Sequence, residues 1–338
     1  MERVTFAEAV RRGLAEEMRR DPSVWALGED LSRAHGSTSS TQYFGLIDEF
    51  GPQRIVDTPI SESTIMGAAV GAALAGTRPI AELRNVDFGL CAIDELVNQA
   101  AKIRYMFGGQ ARVPLVARQG LGLKRSVGSQ HSQSNEAWFI HTPGLVVVAP
   151  ATPADGRGLL KASIRCDDPV VLLEHKELWA DEGNVDFSVD GVVPLGAARL
   201  AVEGEDLTIV SWSRMAIVAE RAAKELAQAG ISAEVIGLRT LWPWDRDTVF
   251  RSVRKTGRLL VAQEAVLVGG FANDIAAEVA EHLHSHLRVP IKRIGAPRMP
   301  VPYSPPLEDE YRIESSHIVM AARALVQETP SRPPKRIR

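Results

Sequence analysis

The feature that most constrains this chain is a recurring alternation of short apolar runs with helical segments. Val24-Trp25-Ala26-Leu27, Arg54-Ile55-Val56 and the runs at 78–83, 113–117, 145–149 and 169–174 read as strands too apolar to leave a face in water. Between them lie stretches with helical spacing, as at Leu90, Ile93, Leu96, Val97 and Ala101, which predict a helix over 90–106 stopped by Gly108-Gly109. Continuous apolar strands separated by helices predict a parallel sheet covered on both faces. After an acidic, glycine-containing connector the pattern restarts. Strands at 207–210, 233–238, 258–262 and 291–294 then alternate with helices at 215–229, 244–255, 271–287 and 315–326. The reading is an α/β chain of two doubly wound domains, 1–190 and 191–328, with a Pro-rich basic tail at 329–338 expected to be disordered.

Within that frame the stretch 54–76 stands out. A β-branched run is interrupted by Pro59, presents Ser61-Glu62-Ser63-Thr64, and continues almost wholly in Gly and Ala. Two readings of Glu62 are open: a first-turn acid suiting the helix dipole with Ser61 as N-cap, or a carboxylate placed for chemistry. Gly67 and Gly71 share a helix face and would let another backbone approach. Elsewhere, Thr5-Phe6-Ala7-Glu8 and Thr152-Pro153-Ala154-Asp155 open helices in the manner of capping boxes. The polar stretch 32–42 has the composition of a loop that orders around something or stays mobile.

Composition excludes several functions. With 39 basic and 42 acidic residues the net charge is −3, which gives no electrostatic case for nucleic acid or a membrane surface. No apolar run approaches the length of a membrane span, and the start has no signal-peptide plan. Cys91 and Cys166 are isolated and form no metal-ligand spacing, which fits a reducing cytoplasm. No zinc, P-loop or nucleophile-elbow motif occurs. The tract Glu281-His282-Leu283-His284-Ser285-His286 splits its histidines between helix faces and lacks an implied partner ligand. What remains is Glu62 and His131, the latter in a long polar loop flanked by Gln130, Ser132, Gln133 and Ser134.

Several blocks in order, DTPISE with its Gly/Ala helix, VNQAAKIRYMFGGQ, SQHSQSNEAWF, HTPGLVVVAP and PVPYSPPLE, make the chain resemble a known family. It is the beta subunit of thiamine-diphosphate-dependent 2-oxo acid dehydrogenases, the decarboxylating component of pyruvate, branched-chain and acetoin dehydrogenase complexes. The likeness runs from Thr5 to about Gln327. It implies a pyrimidine-binding domain followed by a transketolase C-terminal-type domain. It also implies oxidative decarboxylation of a 2-oxo acid with acyl transfer to a lipoyl domain. The alternatives are acetoin cleavage, or a non-catalytic scaffold subunit.

By the same resemblance, Glu62 holds the ring nitrogen of the cofactor's aminopyrimidine, Phe88 packs against that ring, and Glu29 lies near it as a proton-relay carboxylate. His131 is the active-site histidine. The motif that holds the diphosphate through magnesium, GDG followed by Asn, is missing here. The resemblance therefore implies an alpha subunit that supplies it, an alpha2beta2 heterotetramer, and a lipoyl acyltransferase partner. It also implies a structural potassium ion on Leu115, Ser163, Ile164, Cys166 and Asp168, with Cys166 standing where the family often has Asp. Other departures are Ser63-Thr64, Arg84-Asn85, Lys124 and Arg125. By analogy they lie near the substrate mouth and bear on substrate identity, leaving cofactor use intact.

Overall fold

The computed structural model describes residues 1–32 and 41–328, so most of the polar stretch 32–42 and the tail from 329 onward lie outside the described residues. The chain divides into two compact units. One comprises residues 1–197, 239–244 and 300–310, and the other 198–238, 245–299 and 311–338.

The first unit is built on β1 (Glu2–Thr5), β2 (Val24–Gly28), β3 (Ile55–Asp57), β4 (Arg78–Asn85), β5 (Val116–Leu121), β6 (Val146–Val148), β7 (Val170–His175) and β8 (Glu182–Val185). Its seven-stranded sheet runs β6-β7-β5-β4-β2-β3, all parallel, as continuous apolar runs require. A seventh strand, Thr240–Trp242, joins antiparallel to β6, and β1 pairs with β8 as a separate ribbon. Thr240–Trp242 was not visible as a strand in the sequence, because three residues carry no period.

Helices α1 (Phe6–Arg20), α2 (Leu46–Phe50), α3 (Glu62–Leu74), α4 (Val86–Gly89), α5 (Ala101–Met106), α6 (Glu136–Ile140) and α7 (Pro153–Arg165) belong to this unit. The two capping patterns form: Glu8 N–H donates to Thr5 Oγ1 at 3.2 Å, and Asp155 N–H to Thr152 Oγ1 at 3.1 Å. α1 and α7 cross closely because Gly156 leaves room for Phe6 and Val10; a Cβ there would come within 2.9 Å of both.

The helix expected over 90–106 departs from regularity. It is a 3-10 turn at Leu90–Ala92, a π-helix at Glu95–Ala100 and then α5. Its end is as expected, with Gly108 and Gly109 both left-handed. The strand expected from 113 starts at Val116, although the Leu115 carbonyl still accepts from Val170 N–H at 3.0 Å.

The second unit holds β9 (Arg199–Val202), β10 (Leu207–Trp212) and β11 (Ala233–Leu238). With the first unit's β12 (Thr240–Trp242) numbered in chain order, β13 (Leu259–Val266) and β14 (Lys292–Ala296) complete it. The order is β14-β13-β10-β11-β9, parallel except for the edge strand β9. Its core packs Leu207, Ile209, Val235 and Leu260 against Met215, Val218 and Leu226 of α8 (Ser213–Gln228). The other side of that cluster comes from Ile318, Ala322 and Leu325 of the C-terminal helix Ser315–Gln327. No helix among the described residues is long and apolar enough to cross a membrane.

Candidate active site

Four sequence-predicted residues fall just past the carboxyl ends of four neighbouring parallel strands. Glu29 follows β2, Glu62 opens the helix after β3, Phe88 follows β4, and His131 lies in the loop after β5. In open α/β sheets that edge is where ligands bind. β2 and β3 are tied at this edge, Thr58 N–H donating to the Gly28 carbonyl at 3.0 Å.

Glu62 is half-buried as the first residue of α3. The capping role expected of Ser61 does not form: its hydroxyl donates to Thr64 Oγ1 at 2.9 Å and caps no backbone N–H. The shared face of Gly67 and Gly71 is open at Gly71, where an added Cβ would meet nothing within 4 Å.

Phe88 and His131 are brought together directly. Their rings stand edge to face, 5.0 Å between centroids at 88°. The loop that carries His131 is tied down from three sides. Gln133 donates to Asp87 Oδ1 from Nε2 at 2.9 Å, and Gly122 N–H donates to the Gln133 carbonyl at 2.9 Å. Lys176, just after β7, donates to the His131 carbonyl. The PVPYSPPLE block supplies the third tie, with Glu308 accepting from Ser126 N–H at 2.8 Å and the Val301 carbonyl from Ser129 at 2.7 Å. Gly128 is left-handed there and lies against the Tyr303 ring.

Beneath this edge sits a buried ionic cluster that the sequence reading missed. Arg118 on β5 is 2% exposed and pairs with Glu174 on β7 at 2.7 Å. Its other side lies 3.6 Å from Glu82 on β4, and Tyr43 donates to Glu82 at 3.0 Å. Burial pushes the Glu82 carboxyl above its usual range, while the Arg118 charge partly offsets this. Burial alone would lower the Arg118 guanidinium, but Glu174, Tyr43 and Glu82 together hold it above its ordinary value. The available signal was a charged residue inside each of three apolar runs.

Near Phe88 and His131 several buried polar atoms lack a hydrogen-bond partner. They are Asp87 Oδ2, Ser132 Oγ, Asn135 Nδ2 and both amide atoms of Gln119. Gln119 is 1% exposed and presses on Gly89, where a Cβ would come within 2.4 Å of its Oε1. Buried polar atoms left without partners are costly, so such a group fits a polar ligand. An aromatic face, a half-buried carboxylate and these atoms suit an aminopyrimidine ring. Among the described residues no group of three or more His, Cys, Asp or Glu side chains is placed to hold a metal ion.

The positions that the resemblance gave to potassium are differently engaged. The Ile164 and Cys166 carbonyls accept from Arg78 Nη1 at 3.0 and 2.9 Å, and Arg78 Nη2 pairs with Asp167 at 2.6 Å. The Leu115 carbonyl accepts from Val170 and the Ser163 carbonyl from Cys166, while the Asp168 carboxylate pairs with Arg104. Burial pushes the Cys166 thiol up, which keeps it protonated. A guanidinium already faces two of the carbonyls, so the set as arranged does not fit a second cation.

Comparisons with known proteins assign both units of the chain to domain families. Residues 2–181 match the transketolase pyrimidine-binding domain, and residues 196–318 the transketolase C-terminal domain. The chain is 42% identical to a pyruvate dehydrogenase E1 component subunit beta of Dictyostelium discoideum, over 96% of this chain and 91% of that relative. It is 44% identical to the beta subunit of acetoin:2,6-dichlorophenolindophenol oxidoreductase of Cupriavidus necator, over 93% and 95%. It is 38% identical to 2-oxoisovalerate dehydrogenase subunit beta of Bacillus subtilis, over 96% and 99%. A solved split-gene transketolase, described as an inactive beta4 tetramer, shares the fold at TM-score 0.79 and 23% identity over 96% of this chain and 98% of that one. The chain belongs to the family of 2-oxo acid and acetoin dehydrogenase beta subunits, built from the transketolase pyrimidine-binding and C-terminal domains.

Proposed function

We propose that this chain is the beta subunit of a cytoplasmic, thiamine-diphosphate-dependent 2-oxo acid dehydrogenase, active only with an alpha subunit in an alpha2beta2 assembly. The observation that carries the reading is the line of Glu29, Glu62, Phe88 and His131 past four adjacent strand ends. When bound, thiamine diphosphate supplies a carbon nucleophile and an electron sink for loss of the carboxylate. Glu62 would hold a proton at the aminopyrimidine ring nitrogen, and Phe88 would fix the ring by packing on it. His131, oriented by the Phe88 ring and the Lys176 tie, would move protons at the substrate oxygen and the arriving lipoyl sulfur. Glu29 would relay protons along the same edge. Residues 1–190 are read as the pyrimidine-binding domain. Magnesium and the diphosphate would be held by the alpha subunit, and a lipoyl acyltransferase would accept the acyl group.

Cleavage of acetoin is the second reading, favoured by the 44% identity to an acetoin-oxidising relative. The test is to co-purify the chain with its alpha partner, thiamine diphosphate and magnesium. Turnover is then measured with 2-oxo acids and acetoin, using dichlorophenolindophenol and a lipoyl domain as acceptors. Turnover that depends on both chains and on the cofactor is the expected result; turnover by the beta chain alone would overturn the shared-site reading.

A further inference from the structure

His131 closes a 3-10 turn, Ser129–His131, in a polar loop, and it is exposed. Burial therefore does not place its ring; contacts with neighbouring segments do. The edge-to-face contact with Phe88 orients the ring but is a modest restraint by itself.

A stronger restraint comes from the residue before Phe88. Asp87 Oδ1 accepts from Gln133 through both its Nε2, at 2.9 Å, and its backbone N–H, at 3.3 Å. Hydrogen bonds to a charged acceptor are roughly twice as strong as neutral ones. The Gln133 carbonyl is engaged from the other side by Gly122 N–H at 2.9 Å, just past β5. Asp87 with Gln133, and Phe88 with His131, thus run side by side and close a ring between α4 and the loop. α4 is itself fixed against β5, because a Cβ on Gly89 would come within 2.4 Å of Gln119 Oε1. Lys176 and Glu308 also tie the loop, from elements that do not carry Phe88. Asp87 reaches it from the element that does.

We propose that Asp87 is a positioning residue for His131. By holding Gln133 it sets where the imidazole stands against Phe88, and so locks the histidine to the residue that packs on the cofactor ring. This rests on the function proposed above and deepens it. In this role the carboxylate acts through His131 and exchanges no proton of its own. Misplacing a reacting group by about 1 Å costs on the order of 100-fold in rate. Ground-state binding is untouched, so the loss falls on kcat rather than KM.

The experiment uses the complex with the alpha subunit and thiamine diphosphate, on whichever of pyruvate, 2-oxoisovalerate and acetoin the wild type turns over. Asp87→Ala is expected to lower kcat roughly ten- to hundred-fold while KM changes less than about threefold. Asp87→Asn should regain part of the loss, because an amide oxygen still accepts from Gln133. Gln133→Met removes the side-chain donor and leaves the backbone N–H, so it should lower kcat by a smaller factor. It also carries the test if Asp87→Ala fails to fold. Both variants are then repeated in a His131→Ala background. There each should cost less than about twofold more, since a residue acting through the histidine has nothing left to place. The full loss repeated in that background would show the carboxylate acting on the ligand directly, and overturns the proposal. So does a kcat within about twofold of wild type for both Asp87→Ala and Gln133→Met. The function stands in either case. His131→Ala at wild-type kcat overturns the role of the histidine and the proposal with it. A wild-type complex that turns over none of the three substrates overturns the function as well.

Discussion

The two sheets share an architecture but treat their buried polar groups in opposite ways. In the second unit those groups close on each other. Thr208 meets Ser252 at 2.6 Å and Thr256 at 2.8 Å, and Ser211 donates to the Ala262 carbonyl at 2.7 Å. The Gln263 amide donates to the Val266 carbonyl at 2.7 Å and accepts from Ala272 N–H at 2.9 Å. The atoms without a hydrogen-bond partner described there, Arg199 Nε, Ser213 Oγ and Arg258 Nε, each stand well apart from the others along the chain. In the first unit Asp87, Arg118, Gln119, Ser132 and Asn135 all leave buried atoms without partners, on β5 or just past β4 and β5. A satisfied polar interior serves stability, and an unsatisfied cluster at strand ends is what a ligand site needs. On the proposed function, two α/β sheets in one chain thus divide into one that serves stability and one that serves chemistry.

The largest expected effect tests the chemical side. Glu62→Gln should lower kcat of the complex by about 10²- to 10⁴-fold, the range for a positioned acid–base group. Its melting temperature should hold, because a half-buried residue at a helix start carries little packing. Full turnover by this variant would break the comparison at its root. Next in size is Arg118→Met, which leaves Glu82 and Glu174 buried without their cation. Chemical denaturation should show a loss of about 3–5 kcal/mol. If the loss were small, water would have to reach the cluster, and Arg118 would count as part of the site.

The matching test in the second unit is Gln263→Leu. It strips a carbonyl and a backbone N–H of their partner, and about 1–3 kcal/mol of stability should go with them. Turnover per folded complex should remain. A drop in kcat would show that the second sheet also serves the chemistry.

How far the sequence revealed this depends on the range over which each feature is encoded. The strand runs and the Thr5 and Thr152 caps are local, so spacing alone found them. Glu29, Glu62, Phe88 and His131 came from resemblance, and only the sheet order places them on one edge. The Glu82–Arg118–Glu174 cluster depends on the register of three strands, which no single run contains. Arg78 reaches carbonyls at the end of α7, a partner that the carbonyl positions themselves do not announce. The π-helix at Glu95–Ala100 carries the same apolar pattern as an ordinary helix, so periodicity could not separate them.

The smallest expected effect sets the scale for the buried cluster, by asking what an exposed ion pair contributes in the same unit. Asp190 pairs with Lys161 and Arg165 of α7, each at 2.7 Å, while its own side chain is 57% exposed. Hydrogen bonds from Arg165 and then Lys161 hold its carboxyl well below the usual range. A depressed folded-state value means that its stabilisation is present above the unfolded value near 3.8 and is lost as pH falls through the folded one. Solvent screens such a pair, so Asp190→Asn should cost less than about 1 kcal/mol at pH 7. Denaturation curves of variant and wild type should converge once the pH drops well below 3.8. Glu82 has the opposite sign: its raised carboxyl favours the fold most in acid, and that contribution fades as pH rises above 4.5. A gap between Asp190→Asn and wild type that stayed constant into acid would locate the aspartate's effect in packing. The contrast between exposed and buried charge would then rest on Arg118 alone.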